Sequence, residues 1–248
     1  MNARPAGSEQ PLPSPVRPSA GAIDPAAATW PRGGGPPSVE EARALQDLLA
    51  PRVRAQPVDV ERVGLVAGLD VSYTEGRLVA AAVVLSAETL EVVDAATVAT
   101  APRFPYVPGL FAFRELPPLL DAIDRLGTAP DVFVCDGFGL AHPRRFGLAC
   151  HLGVLLDRPT LGVGKTPFVG RAEPPGQQRG SWSPLVDGDE VVGRALRTRT
   201  GVKPVYVSIG HRIDLDSATE LVLRTAPNYR IPEPVRHADR LSRDDPGA

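Results

Sequence analysis

The sequence predicts an α/β fold with a mixed central sheet flanked by helices, on three observations. Strand-like runs at 65–72, 78–85 and 90–99 are separated only by Glu75-Gly76 and Ala87-Glu88, and links this short join antiparallel neighbours. Downstream, helical and strand-like stretches alternate, so the later strands can run parallel with helices as crossovers. The chain has 248 residues, 43% of them hydrophobic, enough for one domain with a core and a tail.

Met1 to about Pro37 is dense in Pro, Ala, Gly and Ser and lacks hydrophobic periodicity, which predicts a disordered tail over 1–37 and a folded domain over 38–248. Ser38-Val39-Glu40-Glu41 is a capping-box pattern, and Ala42, Leu45, Leu48 and Leu49 follow at helical spacing, giving a first helix over 38–50. After the three strands, Pro117 and Pro118 disfavour helix at Leu116, so the spacing predicts a break and a new helix start carrying Leu119, Leu120, Ile123 and Leu126. Val132 to Asp136 reads as a short buried strand. A helix over 144–156, a strand over 160–163, a hairpin over 185–198 and a strand over 206–209 follow. Ser217-Ala218-Thr219-Glu220 caps another helix, and a last one begins after Pro232-Glu233-Pro234.

Composition excludes several functions. No run of about 18 uncharged apolar residues exists to span a membrane, and the N-terminus lacks a basic segment followed by an apolar stretch, so a cytoplasmic location is expected. Two cysteines, Cys135 and Cys150, are too few for a disulfide framework or a thiolate zinc site. A net charge of −2 excludes a uniformly basic coat on nucleic acid and leaves room for a nuclease with a local acidic metal site. Gly164-Lys165-Thr166 looks like the end of a phosphate-binding loop, but Pro159 stands where that motif needs glycine. Of the 27 basic residues all but Lys165 and Lys203 are arginine, which draws attention to Lys165, placed just after a strand.

Asp70 and Asp136 each close an apolar strand. If those strands are neighbours the two carboxylates converge, and they repel unless a cation neutralises them; an all-oxygen site suits Mg²⁺ or Mn²⁺. An Asp after a strand also makes turns, so neither is decisive alone. Glu115 lies beyond a stiff loop, Phe104-Pro105-Tyr106-Val107-Pro108-Gly109, whose projecting Tyr106 and Val107 suit insertion between stacked bases, or a packed surface turn. Gly137 and Gly139 allow close approach of a ligand to the backbone, and Arg144 and Arg145 can hold phosphates near a helix start. His142 has no second histidine at metal spacing, so hydrogen bonding is expected of it.

Taken together, Gly68-Leu69-Asp70-Val71-Ser72-Tyr73, Pro105-Tyr106-Val107-Pro108-Gly109 through Phe113-Arg114-Glu115, Asp136-Gly137-Phe138-Gly139, His142-Pro143-Arg144-Arg145 and Gly162-Val163-Gly164-Lys165 resemble the endonuclease V family. The resemblance runs in order from about residue 39 to 242, including Gly210-His211 and Arg230-Ile231-Pro232-Glu233-Pro234. It implies a ribonuclease H-like fold whose sheet has three antiparallel strands and then parallel ones. It also implies Mg²⁺-dependent cleavage of DNA at the second phosphodiester 3′ to deaminated adenine (hypoxanthine), leaving 3′-hydroxyl and 5′-phosphate ends. By the same resemblance Asp70, Glu115 and Asp136 match the metal-binding acids, Tyr106 the wedge that fills the gap of the flipped base, and Lys165 the lysine near the scissile phosphate. Asp239 matches a further active-site position where members carry His or Asp, while His237 falls two positions early. Two departures stand out: Phe138 replaces a polar residue or His, and Gly164 stands where Ala is common. An inosine-specific ribonuclease and a hypoxanthine-binding module that does not cut are the competing readings, and the intact acids speak against the latter.

Overall fold

A computed structural model of the protein describes residues 37–74 and 76–244. The expected tail lies outside the described residues except for Pro37, which is buried.

Eight strands form one sheet: β1 Leu65–Thr74, β2 Arg77–Ser86, β3 Val92–Thr100, β4 Val132–Asp136, β5 Thr160–Gly164, β6 Trp182–Asp187, β7 Glu190–Leu196 and β8 Val205–His211. Their order in space is β3-β2-β1-β4-β5-β8-β7-β6. The first three make the expected antiparallel meander, and β1, β4 and β5 are parallel, giving the mixed α/β, ribonuclease H-like plan. The expectation of parallel strands from there on fails at β8, which pairs antiparallel with β5. A parallel step needs a crossover, usually a helix. Between β5 and β8 the chain instead builds the β6–β7 hairpin, which pairs onto β8 and extends the sheet.

Among the described residues five α-helices cover the two faces: α1 Val39–Leu49, α2 Ala112–Asp124, α3 Leu148–Leu156, α4 Leu215–Arg224 and α5 Glu233–Asp244. Alternate residues of β1 divide the core between them. Ala67 and Leu69 pack with α1, α2 and α3 through Leu45, Phe113, Leu116 and Leu152, while Val66 packs on the other side with Leu221 of α4 and Val235 of α5. The capping box at Ser38 forms with both of its hydrogen bonds, Glu41 N to Ser38 Oγ at 3.2 Å and Ser38 N to Glu41 Oε2 at 2.7 Å.

Three local expectations are corrected. Helix α2 runs through Pro117 and Pro118 without a break. An interior proline costs about 3 kcal/mol, but Phe113, Leu116, Leu119 and Leu120 on that helix are all within 2% of complete burial. Burying each such side chain contributes roughly 1.5–3 kcal/mol, so the apolar face outweighs the missing hydrogen bonds. Helix α3 starts at Leu148, not Arg144, because Arg145 takes a left-handed φ of 53° and Gly147 is the N-cap. Helix α4 is capped by Asp214, whose carboxylate accepts from Ser217 N at 2.8 Å, and the Ser217 hydroxyl instead accepts from Val58 N at 3.0 Å.

One glycine sets where α5 lies. A Cβ on Gly68 would stand 1.9 Å from the carbonyl oxygen of Pro234, so the first turn of α5 rests directly on the β1 backbone. That contact carries the last helix to the same end of the sheet as Asp70 and Asp136.

Candidate active site

The strand register brings the first two acids together. In the parallel pair β1–β4, Leu69 is opposite Cys135, so Asp70 and Asp136 are the next residues on neighbouring strands; Asp136 ends β4, but Asp70, expected to close its strand, lies inside β1, which stays paired with β2 as far as Thr74. Asp239, from α5, joins them: carboxylate oxygens of Asp70, Asp136 and Asp239 all lie within 4.8 Å of one another. Lys165, just after β5, places Nζ 2.5 Å from Asp136 Oδ2. Ser242, one turn after Asp239, donates to Asp70 Oδ2 at 3.3 Å, and its carbonyl accepts from Ser72 Oγ at 2.7 Å, which pins α5 to β1 beside the acids.

Glu115 stands next to this trio, near enough to feel the charges of Asp70 and Asp136, and accepts from the Tyr73 hydroxyl at 2.7 Å. The trio of closely grouped oxygens is therefore Asp70, Asp136 and Asp239, where the resemblance implied Asp70, Glu115 and Asp136. Tyr73 is a partner that sequence reasoning did not single out; its ring also lies 5.1 Å from the Arg114 guanidinium.

The electrostatics of the cluster suit a cation. Burial, then the charges of Asp136 and Asp239, push the Asp70 carboxyl from 3.8 up to about 6. Burial pushes Glu115 up to about 7, against the Tyr73 hydrogen bond, which lowers it, while Asp70 and Asp136 raise it further. Burial alone would lower the Lys165 ammonium, but the hydrogen bond and charge of Asp136 outweigh it and hold the lysine above its usual range. A carboxyl whose folded pKa lies above its unfolded value stabilises the fold fully below the unfolded pKa, and this is lost as pH rises through the folded one. Without metal, the contribution of Asp70 should fall away between about pH 4 and pH 6, and that of Glu115 by about pH 7. Added Mg²⁺ should therefore raise the melting temperature markedly at pH 7.5 and little at pH 5. Thermal melts in EDTA and in Mg²⁺ at the two pH values check this; an equal gain at both would mean that these carboxyls do not hold the ion.

Beside the acids is a cavity of about 150 Å³ lined by Gln46, Gly109, Glu115, Asp136, Phe138 and His142, among others. His142 is buried and neutral: its Nε2 bonds to Gly109 O at 2.9 Å, its Nδ1 accepts from Arg144 N at 3.1 Å, and burial lowers its pKa to about 4. Two donors at the Gly109 carbonyl, His142 Nε2 and Gln46 Nε2, and a left-handed φ of 81° at Gly109 hold the end of the Pro105–Pro108 loop. At the loop's tip Tyr106 is 69% exposed, its ring 4.8 Å from that of Phe111. Gly139 fits because a Cβ there would lie 1.9 Å from Ile209 O. Arg145 is tied inside the protein, to Asp187 at 2.8 Å and Glu190 at 2.6 Å, so it anchors the β6–β7 turn. Arg144 is less constrained, 3.6 Å from Asp47. His237 lies 3.8 Å from Glu233 and borders a different cleft, with Val83 and Val92.

The two departures from the family pattern are one contact. A Cβ on Gly164 would stand 2.5 Å from Cε1 of Phe138, whose ring also stacks on Phe168 at 5.8 Å between centroids. As the Phe138 ring stands, it fills the space that a Cβ at position 164 would take. Gly164→Ala should cost about 1–3 kcal/mol in an otherwise unchanged protein and far less with Phe138→Ala, a coupling that urea denaturation of the double-mutant cycle measures. Additive effects would mean that the ring turns aside freely.

The family profile described as Endonuclease V matches residues 47–240. An endonuclease V of Streptomyces avermitilis is 56% identical over 213 residues, 85% of this chain and 93% of the relative. The crystal structure of an endonuclease V from that organism superposes with a TM-score of 0.80 over 85% of this chain and 93% of its own, at 55% identity. The catalytic domain of human endonuclease V gives 0.78 at 36% identity, over 84% and 96%. An endonuclease V variant from Ciona intestinalis, in complex with a 23mer DNA containing an inosine followed by a ribo-adenosine, gives 0.74 at 28% identity, over 84% and 96%.

Proposed function

Because the chain belongs to the endonuclease V family, we propose that residues 38–248 form a Mg²⁺-dependent repair nuclease that recognises hypoxanthine in DNA, cuts the second phosphodiester 3′ to it and leaves 3′-hydroxyl and 5′-phosphate ends. The observation that carries this reading is the shared wall: Asp136 and Glu115 border the cavity while Asp136 also belongs to the acidic trio, so a base held in the cavity lies within reach of the trio's charge. The relative bound to inosine-containing DNA supports the choice of base.

Oxygen donors alone, with the Asp70 carboxyl pushed upward by burial and then by the charges of Asp136 and Asp239, fit a hard divalent cation such as Mg²⁺, or Mn²⁺ in its place. Asp70, Asp136 and Asp239 would hold it, with Glu115 adjacent, and the bound ion would supply polarisation of the phosphodiester. Lys165 offsets negative charge at the phosphate, and its ion pair with Asp136 keeps its ammonium at the mouth of the site. Tyr106, stiffened by Pro105 and Pro108, enters the stack as the base swings out, with Val107 beside it; aromatic stacking recovers on the order of 1–3 kcal/mol per base. Gly137 and Gly139 keep the pocket backbone bare, His142 secures the loop, and Arg144, with Arg145 behind it, faces the phosphates. A cytoplasmic location belongs to the same proposal; no helix among the described residues is long and apolar enough to cross a membrane.

A second reading, an inosine-directed ribonuclease, is favoured by the ribo-adenosine that follows the inosine in the DNA bound to the Ciona relative. The test for both is incubation with matched DNA and RNA oligonucleotides, each carrying one inosine, in Mg²⁺ or EDTA. The expected result is a single Mg²⁺-dependent nick in the DNA at the second phosphodiester 3′ to inosine. Cutting of RNA alone would select the second reading, and no inosine-dependent cutting of either would defeat both.

A further inference from the structure

Resting on the reading of the site just given and going into it further, we propose that Gln46 is the specificity residue of the cavity, its Oε1 accepting the N1–H of a 6-oxopurine. Gln46 sits in the middle of α1 and is wholly buried. Both hydrogens of its amide are engaged, Nε2 donating to Gly109 O at 2.9 Å and to Phe146 O at 3.1 Å. Turning the amide over would set its oxygen against two carbonyl oxygens, so the network defines which atom is which. What is left is Oε1, buried and without a hydrogen-bond donor among the described residues.

Gln46 lines the cavity, and buried side-chain acceptors are nearly always paired, so its unpaired Oε1 points to a donor supplied by a ligand. His142 cannot fill it, since both of its ring nitrogens are occupied by Gly109 O and Arg144 N. The donor must come with whatever enters. Deamination of adenine changes N1 from a lone-pair acceptor to an N–H donor, and a fixed carbonyl at that edge attracts the product and repels the parent base. Guanine also carries N1–H, so Gln46 separates 6-oxopurines from adenine, and its exclusion of guanine is nil. A site built to hydrogen-bond one group discriminates by leaving its own polar atom unpaired when the wrong base enters.

Gln46→Met keeps the length and apolar bulk of the side chain and removes the carbonyl; it also removes the amide bonds to Gly109 O and Phe146 O, a loss that should weaken every base alike. Affinity is to be measured by fluorescence anisotropy, in Ca²⁺ to prevent cutting, on single-stranded oligonucleotides carrying inosine, adenosine or nebularine, a purine with neither the N1–H nor the 6-oxygen. The variant should lose roughly tenfold on inosine, the range for one buried hydrogen bond, and stay within about twofold of wild type on nebularine. Equal losses on both would make Gln46 a structural tie between Gly109 and Phe146 and would overturn the proposal. Should the variant fail to fold, the wild-type protein decides: N1-methylinosine, with no hydrogen on N1, should bind at least roughly tenfold more weakly than inosine, and equal binding overturns the proposal. A wild-type protein that binds inosine no better than adenosine would sink the reading of the site itself, and the role of Gln46 with it.

Discussion

Asp136→Asn is expected to abolish most nicking of inosine DNA while leaving the affinity for that DNA in Ca²⁺ nearly unchanged. The side chain keeps its size and loses its charge, and with the charge go a member of the acidic trio and the 2.5 Å contact that holds Lys165. Changes to groups that merely support a metal ligand already cost about 10–100-fold, so a direct ligand should cost more than roughly 100-fold in rate. The base cavity touches Asp136 at its edge and is otherwise formed by other residues, which is why binding should survive. Initial rates across a Mg²⁺ titration check this, and a wild-type rate at ordinary Mg²⁺ would remove Asp136 from the site. The same substitution takes away one of the charges that raise Asp70, so Asp70 should titrate lower in the variant.

Gly68→Ala should do comparable damage from a position that touches no substrate. Its Cβ would stand 1.9 Å from Pro234 O and 2.0 Å from the Pro234 carbonyl carbon, both backbone atoms that cannot rotate out of the way. Helix α5 must lift off β1, exposing Val235 and Ala238, which are now buried, and carrying Asp239 away from Asp70. Overpacking of this kind costs about 1–3 kcal/mol or more. For a domain of this size that is a drop of roughly 2–12 °C in melting temperature. Calorimetry together with a nicking assay at 20 °C separates the two effects, since activity should fall further than the folded fraction. Unchanged melting would show that β1 and α5 are not in contact as described.

What the sequence made legible is what is decided within a few residues. The Ser38–Glu41 box and the strand end at Asp136 follow from local chemistry, and the structure places them where they were read; the last helix forms as expected but starts at Glu233, inside the Pro232-Glu233-Pro234 segment and not after it. Asp70 and Asp136 were legible as a pair only on the condition that β1 and β4 were neighbours, and the register meets that condition. The helix break at Pro117 was misread because the local cost of proline is visible in a window and the burial of Leu116 and Leu119 is not. Gln46 was passed over since a glutamine among helical leucines looks like a solvated residue; only Gly109 and Phe146, 63 and 100 residues away, mark it as buried. The pairing of Phe138 with Gly164 and of Tyr73 with Glu115 is equally nonlocal.

The seating of α5 on Gly68 has a consequence for the order in which the protein acquires its chemistry. Asp70, Glu115 and Asp136 are synthesised early, on strands and a helix that can pair as soon as they emerge, but Asp239 and the Ser242 contacts to Asp70 and Ser72 arrive only with residues 233–244. A chain that stops before Glu233 carries Asp70 and Asp136 without the third member of the trio. On the proposed reading of the site, a chain lacking residues 233–244 should therefore not cut, and the last segment to be made is the one that completes the group of acids.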